Sequence, residues 1–184
     1  MTLKRWSLST LLDLLQEESP DPERHLRLLA CDFAERSLSL YQQLFPDDEQ
    51  PRRVLILARQ LAQGQAERAA LDEAWEMAEA IWAVQSEPAI EVNAGDAVLD
   101  QIAGACRAAW DMDQPARQAA QTAADDSAFA FAYRDAYAVS WPDYYPGETK
   151  SLWQVTFDAA HETERAWQRK RAIEVLLRIR LTSP

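Results

Sequence analysis

The stretch CDFAERSLSLYQQLFPDDEQPRRVLILARQLAQGQ, from Cys31 to Gln65, determines the fold class. Apolar residues recur every three or four positions on both sides of a turn rich in Pro and Asp, which is the spacing of one face of an α-helix. Pro51 stands where it can open the second helix, and Gly64 can adopt the left-handed conformation that ends it. The stretch therefore predicts two helices joined by the turn 46–51.

The same helical spacing continues on both sides of this stretch. The first of the two helices extends back to about Pro22, and Ser7 or Ser9 can cap a short amphipathic helix before it. The later pattern predicts four more helices, at about 66–84, after a cap at Asp96, at about 115–139 and at about 149–181. No segment shows the sustained alternation of a strand. The prediction is an all-α protein of about seven helices in a mostly antiparallel helical bundle or helix-hairpin array.

Length and composition suit one domain. The 184 residues are 48% hydrophobic and 27% charged, which is typical of a globular protein. We expect a single helical domain over 1–184, with an N-terminal helical extension at 1–21 and a core at 22–184. Cys31 and Cys106 lie among apolar residues of helical segments, so we expect them to be buried and not bonded to each other. The sequence has no signal-peptide pattern and no apolar run of membrane-spanning length, which predicts a cytoplasmic protein with no membrane partner.

The chain is acidic, with a net charge of −11 from 19 basic and 30 acidic side chains. This balance is opposite to the one that non-specific nucleic-acid binding requires, so no nucleic-acid partner is expected. The acidity belongs to the middle of the chain, where residues 65–148 carry 16 acidic and four basic side chains, a net of −12. Such a charge either attracts a basic partner or only keeps the protein soluble, and both interpretations stay open.

The residue types that bind metals or perform catalysis do not form recognisable patterns. His25 and His161 are the two histidines, and neither lies in a Glu-x-x-His or H-E-x-x-H motif. The chain has no G-x-S-x-G and no Gly-rich phosphate loop, and Cys31 is followed by Asp32, which disfavours a thiolate. We therefore expect no metal, no cofactor and no enzymatic activity; an enzyme with a carboxylate site is the remaining alternative in this class.

The charged residues of the opening stretch are predicted to be structural. Asp32 and Arg36 stand four residues apart and can pair on one helix face, with Glu35 beside them. They are either a solvated edge of the helix or part of a polar network that ties it to a neighbour through Arg52 or Arg53. We favour a structural role for these residues over a functional one.

Two further segments are candidates for binding a partner. Asp72, Glu76 and Glu79 share one face of the fourth helix, with Glu73 beside them, and like charges at this spacing cost about 0.2–0.5 kcal/mol per pair. This repulsion between carboxylates has two interpretations: the face binds a basic partner, or it is simply solvated. The loop WPDYYPG, at 141–147, supplies aromatic residues of the kind that anchor interfaces, or residues that fold back over the Ala-rich helix. Its candidate binding residues are Trp141, Asp143, Tyr144 and Tyr145.

The stretch ACDFAERSLSLYQQLFPDDEQPRRVLILARQLAQG resembles the immunity proteins of bacterial polymorphic toxin systems. These are all-α domains with a D-x-A-E-R-x-L helix, a D-x-x-P-R turn and an A-R-x-x-A-x-G helix. The matching residues here are Asp32, Ala34, Glu35, Arg36 and Leu38, then Asp48, Pro51 and Arg52, then Ala58, Arg59, Ala62 and Gly64. The resemblance, which includes the Ala-rich later helices and ERAWQRKRAIEVLL at 164–177, covers about His25 to Leu177.

The resemblance implies an inhibitory protein that binds a cognate bacterial toxin, of basic character, and blocks its site by occupying it. The alternative is an intracellular helical adaptor or scaffold whose acidic face meets another partner. A basic toxin domain encoded beside this chain would favour the first interpretation. Carboxylates that converge in a pocket near a perturbed His161 would favour an enzyme instead.

Overall fold

The computed structural model describes residues 6–85, 94–139 and 152–182. These ranges form seven helices and contain no strand, which confirms the all-α prediction. The helices are α1 (Leu8–Glu18), α2 (Pro22–Leu44), α3 (Gln50–Ala62), α4 (Arg68–Gln85), α5 (Ala94–Trp110), α6 (Ala116–Val139) and α7 (Leu152–Thr182). None of the helices in these ranges is both long and apolar enough to cross a bilayer.

Local sequence signals place most of the helix ends. The side chains of Ser7 and Asp21 each accept a hydrogen bond from the backbone N–H three residues on, at 3.1 and 3.2 Å, and so cap α1 and α2. Pro22 occupies the start of α2, and Gly64, with φ at 70°, follows the end of α3. The predicted cap at Asp96 is wrong, because α5 already includes this residue.

α7 runs antiparallel to both α2 and α6, as side-chain contacts show. Asp32 of α2 bonds to Arg171 of α7, whereas Arg36, one turn later in α2, bonds to Glu164, about two turns earlier in α7. The order of contacts along one helix is thus reversed along the other. The same reversal appears for α6 against α7, in the pairs Asp125–Arg165, Phe129–His161 and Tyr133–Phe157.

α2 and α6 lie at the centre of the bundle. Each packs against four or more other helices, including one another, α1 and α7. α6 can do so because its buried positions are mostly alanine, which lets helix axes approach closely. α5 comes especially near, because a Cβ atom added to Gly104 would clash with a carboxylate oxygen of Asp126.

α1 belongs to the same hydrophobic core as the rest of the chain. Leu11, Leu12 and Leu15 are fully buried and join one continuous cluster with residues of α2 to α7. The N-terminal segment 1–21, expected to be a helical extension, thus contributes α1 to the hydrophobic core. Cys31 and Cys106 lie in this core without a disulfide, as predicted. Burial raises the pKa of the Cys31 thiol to about 12 and raises that of Cys106 as well, so both are unreactive in the folded protein.

Candidate functional site

The charged residues of the opening stretch converge with two arginines from other helices. Asp32, whose side chain is 12% exposed, accepts one hydrogen bond from Arg59 Nη1 of α3 and one from Arg171 Nε of α7, each at 2.7 Å. Its two oxygens are therefore used by two different helices. The predicted pairing of Asp32 with Arg36 is wrong, because the tertiary fold brings these two long-range arginines to the carboxylate instead.

Arg36 turns toward a second buried carboxylate. Its Nε lies 2.7 and 3.0 Å from the two oxygens of Glu164, which is 2% exposed. The guanidinium also lies 4.5 Å from the ring of Trp167 and 5.2 Å from that of Phe131. Burial raises the pKa of Glu164, and the hydrogen bond from Arg36 opposes this change. Arg36 thus compensates for a carboxylate that would be costly to bury alone.

Of the two structural alternatives, the polar network is present, but it does not run through Arg52 or Arg53. Both are exposed, and in the described part of the chain neither takes part in an ion pair. Arg59, about two turns after Arg52, replaces them because it borders the face that α3 buries. We call the ion pairs of Asp32, Glu35, Arg59, Arg171 and Glu174 the arginine–carboxylate network. It ties α2, α3 and α7 together.

Two of the four acidic residues predicted to bind a partner on α4 are already engaged within the protein. Asp72 accepts a hydrogen bond from Arg68 at 2.7 Å. Glu79 accepts from Arg107 of α5, at 2.7 and 2.9 Å, and from the indole of Trp75 at 3.1 Å. Burial would raise the pKa of Glu79, but the hydrogen bonds from Arg107 and Trp75 outweigh it and the pKa lies below its usual value. Asp72 and Glu79 are therefore bonded within the protein, and the prediction that the four residues bind a partner stays a prediction.

The other two acidic residues of α4 remain on the surface. Glu73 and Glu76 are exposed, and in the described ranges no cation pairs with either. Met77 is 45% exposed on the same side, and Ala69, one helical turn before Glu73, is exposed too. We call this surface, with Ala70, the acidic face of α4. It combines two carboxylates with an exposed apolar side chain.

The four candidate residues of the loop, Trp141, Asp143, Tyr144 and Tyr145, lie outside the described residues. The helices on either side of the loop carry two rows of rings that face each other. Sequence reasoning missed these rows, although their spacing of four residues on each helix was the signal for them. The rings are Phe129, Tyr133 and Tyr137 of α6 and Trp153, Phe157 and His161 of α7.

His161 packs at one end of these rows. Its ring centroid lies 5.2 Å from that of Phe129 and 6.2 Å from that of Phe157. Burial, followed by the nearby charge of Arg165, holds the pKa of His161 below its usual value. The described residues also contain no group of three or more His, Cys, Asp and Glu side chains that could hold a metal ion.

Comparison with models of known protein families, with curated proteins and with solved structures gives no match. A function for this chain is therefore inferred from its own residues and their arrangement.

Proposed function

We propose that this protein is an immunity protein, which neutralises a cognate bacterial toxin by binding a basic surface of the toxin and occluding its site. The acidic face of α4 carries the proposal. It presents Glu73 and Glu76 without an internal cation, beside the exposed side chain of Met77. Carboxylates attract a basic partner over a distance, and a methionine adapts its shape to the partner's apolar groups.

The arrangement of charges around α4 supports this role. Arg68, the first residue of α4, is bonded to Asp72, and Arg107 of α5 is bonded to Glu79. Glu73 and Glu76 stand three residues apart, and a like-charged pair at this spacing costs about 0.2–0.5 kcal/mol. Cations of a bound partner would remove that cost. The net charge of −11 adds a long-range attraction for the same class of partner.

The residues that resemble immunity proteins support the proposal in a different way. Asp32, Glu35 and Arg59 belong to that pattern and form part of the arginine–carboxylate network between α2, α3 and α7. α3 in turn packs against α4. In this proposal, the residues that resemble immunity proteins stabilise the packing of α2, α3 and α7. The acidic face of α4 binds the toxin.

The test is rescue of bacterial growth. Each reading frame that neighbours the gene is induced in a host, with or without this protein. We expect one of these frames to stop growth and the parent protein to restore it. The double variant Glu73→Lys, Glu76→Lys should lose the rescue, because the charges would then repel a basic toxin.

The matched control is Asp47→Lys with Glu49→Lys, which makes the same change of charge at two exposed positions in the turn between α2 and α3. It should still restore growth. Equal rescue by both double variants would contradict a role for α4. A neighbouring reading frame whose product binds this protein but does not stop growth would favour the adaptor or scaffold alternative. It would contradict the immunity function.

A further inference from the structure

A pocket of about 330 Å³ opens between α2, α3 and α7, on the other side of Asp32 from Glu35 and Glu174. Its apolar lining comes from Leu28 and Leu29 of α2 and from Val175 and Ile179 of α7. Its polar lining includes Arg59, Arg171 and Arg178. The volume lies in the range of about 300–1,000 Å³ that is usual for small-molecule sites.

Two of these arginines are held in fixed positions. Asp32 binds Arg59 through one oxygen and Arg171 through the other. Each guanidinium has five N–H groups, and its bonds to carboxylates use only some of them. Arg59 and Arg171 can therefore keep their bonds to Asp32 and still donate to a molecule in the pocket. Because their positions are set in advance, less conformational entropy is lost on binding.

Arg178 adds a third positive charge to the same pocket. It stands seven residues after Arg171, which places the two on the same side of α7. Arg178 is exposed, and among the described residues no carboxylate pairs with it. His25 also lines the pocket; its Nδ1 shares a hydrogen bond of 2.7 Å with Ser19, so its Nε2 remains for another partner.

The balance of groups in the pocket favours an anion. Its walls contain three guanidiniums and a single carboxylate, Asp32, both of whose oxygens are occupied. Glu35 and Glu174 also bond to Arg59 and Arg171, but they do not line the pocket, so they do not occupy the space that a ligand would take. A ligand that fits must supply acceptors and negative charge to the arginines and apolar surface to the leucine, valine and isoleucine side chains.

We propose that this pocket binds a small organic anion, whose carboxylate or phosphate group is held by Arg59, Arg171 and Arg178 and whose apolar body rests on Leu28, Val175 and Ile179. Guanidinium groups bind both kinds of anion through pairs of N–H donors. The site is separate from the acidic face of α4, so the small anion would be a second ligand beyond the proposed toxin. Either proposal can fail without the other.

The test uses phenyl phosphate as the probe, with titration followed by calorimetry on the full chain. Phenol and inorganic phosphate represent the two halves of the probe, and benzoate tests the carboxylate in place of the phosphate. We expect phenyl phosphate or benzoate to bind at least about tenfold more tightly than phenol and than inorganic phosphate. Whichever of phenyl phosphate and benzoate binds more tightly shows which anionic group the pocket prefers.

Two variants tie the binding to this pocket. Arg178→Gln removes a pocket cation, and Arg52→Gln removes an exposed cation of α3 that does not line the pocket. Arg178→Gln should weaken binding of the probe by about tenfold, and Arg52→Gln should leave it unchanged. No binding of either organic anion at about 10 mM, equal binding of phenol, or equal effects of the two variants would overturn the proposal.

Discussion

At the scale of single residues, Arg27 links two parts of the chain that are far apart in sequence. It is 4% exposed, although arginine is rarely buried. Its guanidinium donates to the backbone carbonyls of Asp111, Met112 and Gln114, at 2.7, 2.9 and 2.5 Å. These carbonyls lie in the connection between α5 and α6. One side chain therefore satisfies three carbonyl groups of this turn, whose N–H groups at Asp113 and Gln114 bond to Asp111.

Replacing Arg27 should destabilise the protein strongly. Arg27→Met keeps much of the volume but leaves three carbonyl groups without their donor, so we expect a loss of about 3 kcal/mol in the free energy of unfolding. Urea unfolding measures it. Arg24→Met, at an exposed position one turn earlier in α2, should change stability by less than about 0.5 kcal/mol. Similar values for the two variants would mean that the Arg27 bonds contribute little.

Asp126 makes stability depend on pH. Burial, followed by the charge of Asp125, raises the pKa of this half-buried carboxyl to about 6, from a model-compound value of 3.8. A carboxyl whose pKa is higher in the folded state binds its proton more tightly there. Its contribution to stability is thus fully present below about pH 4 and is lost as the pH rises through about 6.

Asp126→Asn should remove this dependence. The variant and the parent should have similar stability near pH 4, and the variant should be more stable by about 1 kcal/mol at pH 7, once solvent screening is allowed for. Thermal unfolding across this pH range measures the difference. Asp100→Asn, at an exposed position in α5, is the control. A difference that is constant with pH would contradict the account.

At the scale of helices, the sequence predicts the elements well and their partners poorly. The expected bounds of α2, about 22–45, differ by one residue from the observed Pro22–Leu44, because Asp21 and Pro22 are local signals. The ion pairs of Asp32 join residues 27 and 139 positions apart. The spacing of four residues along one helix predicted Arg36 as the partner of Asp32. It could not predict Arg59 or Arg171, because no local pattern encodes which helices pack beside Asp32.

The arginine–carboxylate network should make α3 and α7 energetically coupled through α2. Arg59→Gln or Arg171→Gln leaves Asp32 with one cation, and the double variant leaves a carboxylate that is 12% exposed with none. The double variant should therefore lose about 1 kcal/mol more than the sum of the single losses. Urea unfolding of the four proteins gives this coupling energy.

Arg68→Gln with Arg180→Gln is the control pair, because these residues bond to separate carboxylates, Asp72 and Glu18. Their effects should add to within about 0.5 kcal/mol. Additive losses at Arg59 and Arg171 as well would show that Asp32 does not couple the helices.

At the scale of the whole molecule, several arginines are neutralised by carboxylates of other helices. Arg36, Arg59, Arg107 and Arg171 all bond to carboxylates of other helices. The excess of 30 acidic over 19 basic residues is therefore expressed at surfaces such as the acidic face of α4. The sequence located this charge on α4, and Arg68, four residues before Asp72, was a local signal for that pair. It could not separate Glu79 from Glu73 and Glu76, because Arg107 meets Glu79 only in the folded state.

The acidic face of α4 is proposed to bind a basic toxin. The most direct measurement is the association rate of the purified protein with the toxin that growth rescue identifies, at several salt concentrations. Exposed charges are screened beyond about 8 Å at physiological salt, so the charge of the face should act mainly on this rate.

Glu73→Gln with Glu76→Gln should slow association several-fold at low salt and flatten its dependence on salt. Asp47→Asn with Glu49→Gln, which removes the same charge elsewhere, should follow the parent protein closely. Circular dichroism should show that both double variants keep the fold. Association rates of the α4 variant that equal those of the parent at every salt concentration would contradict the claim.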